Sequence, residues 1–325
     1  MVLKGEFMTL RDNIIGMLEA NKGEYISGQS IAKTFSVSRS AVSKCINLLK
    51  ADGYDIDSVN NLGHRLNPDS DILSSSGISA YLDESIEVRV FKTIDSTNSE
   101  AKRAITDGLT ADAIFAADEQ TNGRGRMGRN FYSPKSSGLY FSCVLHPTVS
   151  LSEATLLTSA AAVSVCEVLE EITKKHPQIK WVNDIFIDKK KVCGILTEAV
   201  SDFESGKVDA VIVGIGINLT TEEFPDELSN IATSIGQNIN RNYLASQIFI
   251  KLKSFCDALP SKDFMNEYRR RSLVLGNKIT FTRNGVDYTA KANEILDDGS
   301  LSVTSDKNES IVLQSGEISI KLDQI

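Results

Sequence analysis

The hydrophobic positions of the chain change rhythm three times. Leu10, Ile14, Ile15 and Leu18 recur at helical spacing, the pattern of a helix that buries one face. Ile26 to Phe35 reads as a second, short helix and Ser36-Val37-Ser38 as a turn. A third helix, opened by Ser38 or Arg39, carries Val42, Ile46 and Leu49 on one side. Helix, three-residue turn and helix form a helix-turn-helix, here about Gln29 to Leu48. Asp55 to Leu66, with Asn60-Asn61-Leu62-Gly63 at its centre, predicts a hairpin wing. Pro68 to Ser79, containing Ser74-Ser75-Ser76-Gly77, reads as a linker with one short helix. Between about residues 85 and 271 the rhythm alternates. Strands are expected at Ile114–Ala117, Leu139–Leu145, Ile179–Val182, Ile185–Ile187, Val192–Glu198 and Val208–Leu219. Helices are expected at Thr97–Gly108, Glu153–Lys174 and Tyr243–Leu259. The last stretch is short apolar runs punctuated by Asn284-Gly285, Asp298-Gly299 and Ser315-Gly316, which are hairpin signals.

The pattern predicts a multidomain α/β protein. A winged helix-turn-helix occupies residues 1–67 and a linker 68–84. A mixed α/β domain follows at 85–272, and a small β-barrel of the SH3-like kind at 273–325. With 41% hydrophobic and 24% charged residues, the composition suits a globular protein with real cores. No apolar run approaches the roughly 18 residues of a membrane helix, and no signal-peptide stretch opens the chain. Met8 is a candidate start, with Met1 to Phe7 a leader or a cloning remnant. Five scattered cysteines without a C-x-x-C pair argue against a disulfide framework or zinc site and for a reducing cytoplasm. The net charge of −8 is unevenly shared. Residues 1–66 carry eight Lys/Arg and seven Asp/Glu, a net +1, leaving −9 for the rest. The N-terminal module is thus the part that can approach phosphate. The second helix of the helix-turn-helix, the third of the chain, would present Ser38, Arg39, Ser40, Ser43 and Lys44 opposite the apolar face, short polar groups and cations suited to base edges and phosphates.

Gly123-Arg124-Gly125-Arg126-Met127-Gly128 spells a dinucleotide fingerprint, but Asn130-Phe131-Tyr132-Ser133-Pro134 follows instead of the helix such a site requires. What remains is a glycine loop loaded with Arg124, Arg126 and Arg129, forked cations able to fold over a phosphate-bearing ligand. Thr97-Asn98-Ser99-Glu100 reads as a capping box, with Ser96, Thr97 and Asn98 clustering polar groups at a helix start. Lys180-Trp181-Val182-Asn183-Asp184 places a cation and a carboxylate at a strand end. Lys189 to Lys191 leads into Val192-Cys193-Gly194-Ile195-Leu196-Thr197-Glu198. The glycines of Gly214-Ile215-Gly216-Ile217-Asn218 permit close approach by a neighbour or ligand.

Together these segments, with Asp118 to Arg126, resemble in order the motif set of the biotin protein ligases. With the helix-turn-helix, the resemblance is to the bifunctional ligases that double as biotin operon repressors, and it covers essentially the whole chain. It implies a catalytic domain like that of class II synthetases. It also implies activation of biotin with MgATP to biotinyl-5′-AMP, transfer to a lysine of a biotin carboxyl carrier protein, and a ligand-promoted homodimer on operator DNA. By the same resemblance, Ser96, Thr97, Asn98 and Gln120 serve the biotin ring system, with Arg124, Gly125 and Arg126 closing over biotin and phosphate. Lys191 serves the carboxylate–phosphate junction, with Arg126 as its catalytic companion. Arg129, Phe131, Lys180, Asn183, Asp184 and Asn218 serve the nucleotide, with magnesium near Asp184. Val182 stands where the family usually has proline. Lys321, near the end, is expected to reach nucleotide phosphate. A sensor without transfer activity and a lipoate ligase are the alternatives.

Overall fold

In the computed structural model, residues 9–201, 208–283, 285–314, 316 and 318–320 are described. Lys321, Met1 to Phe7, and Asn284 and Ser315 of the hairpin signals lie outside them. The chain forms two compact units, one of Met1–Val90 with Asn238–Gln247, the other of Phe91–Gln237 with Ile248–Ile325.

In the first unit, helices α1 (Leu10–Ala20), α2 (Gly28–Thr34) and α3 (Arg39–Ala51) precede strands β1 (Ile56–Val59) and β2 (Gly63–Leu66). Each helix starts on a hydroxyl side chain. Thr9 and Asp12 form a reciprocal capping box on α1, and Ser27 and Ser38 accept from Ser30 and Ala41 N–H groups on α2 and α3. Such caps satisfy N–H groups that the helix leaves unpaired. Ile14, Ile15, Leu18, Ile31, Val42, Ile46 and Leu49 meet in one core that Ile56 and Leu66 of the wing complete. Strands β1 and β2 pair antiparallel with Val59 opposite Gly63, the hairpin expected.

The segment read as a linker is held more firmly than a linker. Ser74 caps α4 (Ser75–Ser79). Asp71 pairs with buried Arg241, whose Nε lies 2.7 Å from Oδ2 and whose backbone N–H donates to Oδ1 at 2.9 Å. Asn242 accepts from Ser74 N–H at 3.0 Å and donates to the Ile72 carbonyl at 2.9 Å. Buried Glu19 of α1 accepts from Asn240 at 2.5 Å, and Tyr81 donates to the Glu19 carbonyl at 2.9 Å. Residues distant in sequence thus finish this unit, which local periodicity does not reveal.

Strand β3 (Glu87–Phe91) holds the division between the units. The second unit then contains α5 (Thr97–Thr106), β4 (Ala113–Ala117), β5 (Gly138–Leu145), α6 (Leu151–Ala154), α7 (Leu156–Thr173), β6 (Gln178–Lys180), β7 (Asp184–Ile187), β8 (Lys190–Ser201), β9 (Val208–Asn218) and α8 (Asp226–Ser229). Helix α9 (Arg241–Asp257) and α10 (Phe264–Arg270) follow. Antiparallel ladders run in the order β4–β5–β9–β8–β7–β6. Strand β5 is buried along its whole length, as expected of a central strand covered on both faces. The single helix expected over Glu153–Lys174 is two: a Ser150–Glu153 capping box opens α6, and an interruption at Thr155 separates it from α7. β3 and α10 had no counterpart in the sequence reading.

The C-terminal residues form an antiparallel sheet of β10 (Lys278–Arg283), β11 (Val286–Ile295), β12 (Leu301–Ser305), β13 (Ser310–Leu313) and β14 (Ile318–Ile320), in the order β13–β12–β11–β10–β14. This is the SH3-like module that the hairpin signals anticipate. Its third turn lies at Asp306 to Asn308 and carries no glycine.

Candidate functional site

Helix α5 opens the site. Ser96, not Thr97, is its N-cap, and the Thr97–Glu100 capping box expected from the sequence does not form. Thr97 is engaged elsewhere: its N–H donates to Gln120 Oε1 at 2.9 Å, and Glu100 pairs with Arg103. Ser142 of β5 is fully buried, with its hydroxyl 2.6 Å from Asn98 Oδ1 and 2.7 Å from Thr97 Oγ1. The Ser142 hydroxyl is the donor to both, and the Thr97 hydroxyl donates onward to Gln120 Oε1 at 3.2 Å. Asn98 Nδ2 in turn donates to Glu198 Oε2 at 2.9 Å. On the other side Gln120 donates to Ser133 at 2.9 Å, and Ser133 to the Phe131 carbonyl at 3.0 Å. A directed chain of hydrogen bonds thus links the loop after β4 to the middle of β8.

The glycines of β9 admit this arrangement. A Cβ on Gly214 would lie 2.1 Å from Asn98 Oδ1, and one on Gly216 would lie 2.4 Å from the Phe131 ring. Gly216 faces Gly194 across the β8–β9 ladder, and Phe131 rests against both. Tyr140 meets that ring edge-on at 6.4 Å.

The arginine–glycine loop folds over the same place. Gly125 N–H donates to the Arg129 carbonyl at 2.7 Å, and Arg126–Gly128 forms one 3-10 turn with no helix behind it. Arg124 faces Glu198, and Arg126 donates to Asn183 Oδ1 at 3.1 Å. Lys191 Nζ lies 2.7 Å from Asp184 Oδ1, a buried oxygen that no donor of the described residues meets in hydrogen-bond geometry. Burial pushes the Glu198 carboxyl up, but hydrogen bonds from Lys102 and Asn98 and the charges of Lys102 and Arg124 outweigh it and hold the group below its ordinary value. It is an anion at neutral pH.

These groups enclose a cavity of about 390 Å³, within the size range of small-molecule sites. Ser96, Thr97, Asn98, Gln120, Arg124, Gly125, Arg126, Arg129, Phe131, Lys180, Asn183, Asp184, Lys191 and Asn218 all line it. These fourteen residues singled out from the sequence are therefore brought to one place, while Lys321 lies outside the described residues. The sequence reading missed Ser142 and Ser133, which lie in an apolar strand and a loop without motif. It also missed the wall of Phe224, Leu228, Ile231 and Ala232. That wall is fixed by two backbone bonds of 2.9 Å between Lys191 and Ile231 or Thr233. Among the described residues, no three His, Cys, Asp or Glu side chains are grouped to hold a metal.

In the first unit, Arg39, Ser40, Ser43 and Lys44 are exposed on α3, opposite buried Val42, Ile46 and Leu49. Ser38 caps the helix and lies 2.8 Å from the Ser40 hydroxyl, while Ser43 donates to the Arg39 carbonyl at 3.1 Å. The three serines are thus partly engaged, and Arg39 and Lys44 supply the charge of this face.

Residues 90–218 match the Biotin/lipoate A/B protein ligase family, and residues 11–65 match an HTH domain. The class is a ligase catalytic domain carried behind a helix-turn-helix. The bifunctional ligase/repressor BirA of Bacillus subtilis (strain 168) is 34% identical over 311 residues, 90% of this chain and 93% of its own length. That of Escherichia coli (strain K12) is 30% identical over 253 residues, 75% of this chain and 77% of its own. A solved biotin protein ligase from Aquifex aeolicus, in complex with biotin and ATP, superposes with a TM-score of 0.60 at 30% identity, covering 72% of this chain and 98% of that one. The chain belongs to the family of bifunctional biotin ligase/repressors.

Proposed function

We propose that the chain activates biotin with MgATP to biotinyl-5′-AMP and transfers biotin to a lysine of a biotin carboxyl carrier protein. In the same reading it uses the adenylate to repress genes of biotin synthesis and transport. One observation carries the enzymatic reading: the polar chain from Gln120 to Glu198, the arginine loop and the Lys191–Asp184 pair converge on one cavity.

The chemistry needs no enzyme nucleophile. A biotin carboxylate oxygen attacks the α-phosphorus, and the bond from that phosphorus to the pyrophosphate oxygen breaks. The carrier lysine amine then attacks the biotinyl carbonyl, and AMP leaves with the anhydride electrons. The protein contributes positioning and charge neutralisation. Ser96, Thr97, Asn98 and Gln120 hold the ring system, and Arg124, Gly125 and Arg126 close over biotin and phosphate. Lys191 lies at the junction where carboxylate and phosphate, both anions, must meet. Arg129, Phe131, Lys180, Asn183 and Asn218 take the nucleotide. Asp184 faces the magnesium that arrives with ATP, since this ion usually needs only one or two protein carboxylates beside phosphates.

The working division is 1–67 for DNA, 68–84 as connection, 85–272 for catalysis and 273–325 as the terminal module. Ser38, Arg39, Ser40, Ser43 and Lys44 meet the operator. Because that module carries only a +1 net charge, useful affinity comes from a homodimer on a two-fold site. The setting is the cytoplasm, and no helix of the described residues is long and apolar enough to cross a membrane.

The deciding experiment is biotinylation of a carrier domain with ATP and magnesium by the wild type and by Arg126→Ala. The variant is expected to fold normally and release biotinyl-AMP faster. Absence of biotin transfer by the wild type overturns the enzymatic reading, and unchanged adenylate retention overturns the role of Arg126. Equilibrium binding tests the repressor half, where biotinyl-AMP is expected to tighten both dimerisation and operator affinity. Indifference of both to the adenylate ends that half.

A further inference from the structure

Glu198 holds three partners at unequal distances. Lys102 Nζ lies 2.7 Å from Oε1, and Asn98 Nδ2 lies 2.9 Å from Oε2. Both are ordinary charge-assisted lengths. Arg124 is looser: Nη1 is 3.3 Å from Oε2 and Nη2 is 3.3 Å from Oε1. The Arg124 and Lys102 side chains are equally exposed, so it is the longer distances that mark Arg124 as the looser cation. The guanidinium thus faces its carboxylate as a fork but does not close on it. Of the three partners it is the one that can leave.

The surroundings give that looseness a use. Arg124 belongs to the loop over the cavity, while Glu198 belongs to the sheet beneath it and ends the hydrogen-bonded chain through Asn98, Ser142 and Thr97. Lys102 is on α5, outside the cavity lining, and already neutralises much of the carboxylate. A carboxylate shared with a closer lysine holds a second cation weakly, and a ligand phosphate brought into the cavity competes for it.

We propose that Glu198 is a positioning residue that parks the lid arginine Arg124 in the ligand-free protein, and that Lys102 sets how firmly it is parked. This rests on the ligase reading above. A ligand shifts the lid only by its preference for one lid state over the other, so the strength of parking enters directly into how long the adenylate is kept. Removing Lys102 leaves the full carboxylate charge to Arg124 and favours the parked state. Neutralising Glu198 abolishes parking and favours the lid on its ligand.

The test is the rate of release of preformed biotinyl-AMP from the full chain, measured for the wild type, Lys102→Met and Glu198→Gln. Parking predicts opposite signs: release about twofold to fivefold faster for Lys102→Met and slower by a similar factor for Glu198→Gln. A merely structural network predicts that both variants release faster. Changes in the same direction, or no change in Lys102→Met, overturn the proposal. Should Glu198→Gln fold poorly because it loosens Asn98, Lys102→Met decides alone, together with the double variant Lys102→Met/Arg124→Gln. With the arginine gone, the lysine substitution is expected to have no further effect on release, and a persisting effect overturns the proposal. A wild type that forms no biotinyl-AMP overturns the ligase reading instead, so the two failures are distinct.

Discussion

At the scale of single residues, hydrogen atoms on β9 decide what the site can hold. Gly216 leaves the space that the Phe131 ring fills, and a methyl group there would stand 2.4 Å from a ring carbon. Gly216→Ala therefore forces the ring or strand to shift, an overpacking cost of about 1–3 kcal/mol. If that cost falls on the ligand-ready arrangement, affinity drops by roughly tenfold. Calorimetric titration with biotin and with biotinyl-AMP checks this, and wild-type affinities would count against the assigned contact. The glycine spacing made a close approach legible, but not which group approaches. Phe131 and Gly216 are far apart in sequence, and only the folded register of β8 and β9 joins them. Ser142 was invisible for a related reason. One hydroxyl inside Gly138–Leu145 looks like a tolerated core serine until Asn98 and Thr97 are placed against it.

Among the elements, those with a strong rhythm and those without it separate cleanly. Strands β4, β5, β7, β8 and β9 and helices α5 and α9 fall within a few residues of their expected places. β3 does alternate, Glu87-Val88-Arg89-Val90, but the run is only five residues long and all of them are half-buried, so it lacks the apolar weight of the central strands. α10 is only seven residues long; it buries Phe264, Met265 and Tyr268 and carries ion pairs at its end. Glu267 accepts from Arg271 Nε at 2.6 Å and from Arg270 Nε at 2.7 Å, and Arg271 is buried against Glu170 as well. The hydrogen bond from Arg270, followed by that from Arg271, takes the Glu267 carboxyl from 4.5 down to about 2 against the opposing effect of burial. A carboxyl lowered in the folded state stabilises fully above its unfolded value and loses that contribution as pH falls. The stability gap between wild type and Glu267→Gln is thus expected to be constant near neutrality, to shrink below about pH 4.5, and to be mostly lost by about pH 2. Denaturant titrations across this range check it, and a gap unchanged at acid pH would disprove the pairing.

At the scale of the whole molecule, the first unit is not one continuous stretch of chain. Arg241 is 6% exposed and held by Asp71, with Asn242 buried beside it. Arg241→Met leaves Asp71 without its cation, and losing one partner of a buried pair costs about 3–5 kcal/mol. A chemical melt followed by Trp-independent far-ultraviolet dichroism is expected to show the first unit unfolding earlier. An unshifted first transition would show that the pair does not hold it. This closure lay beyond reading from the sequence because Asp71 and Arg241 form no local pattern. It also carries a consequence for biosynthesis. A ribosome that has finished the helix-turn-helix has not finished the unit containing it, since residues 238–247 are still to be made. The DNA-reading head can reach its full stability only after most of the ligase has been synthesised. A nascent chain broken off before that point would leave a head whose Glu19 and Asp71 lack the partners Asn240 and Arg241.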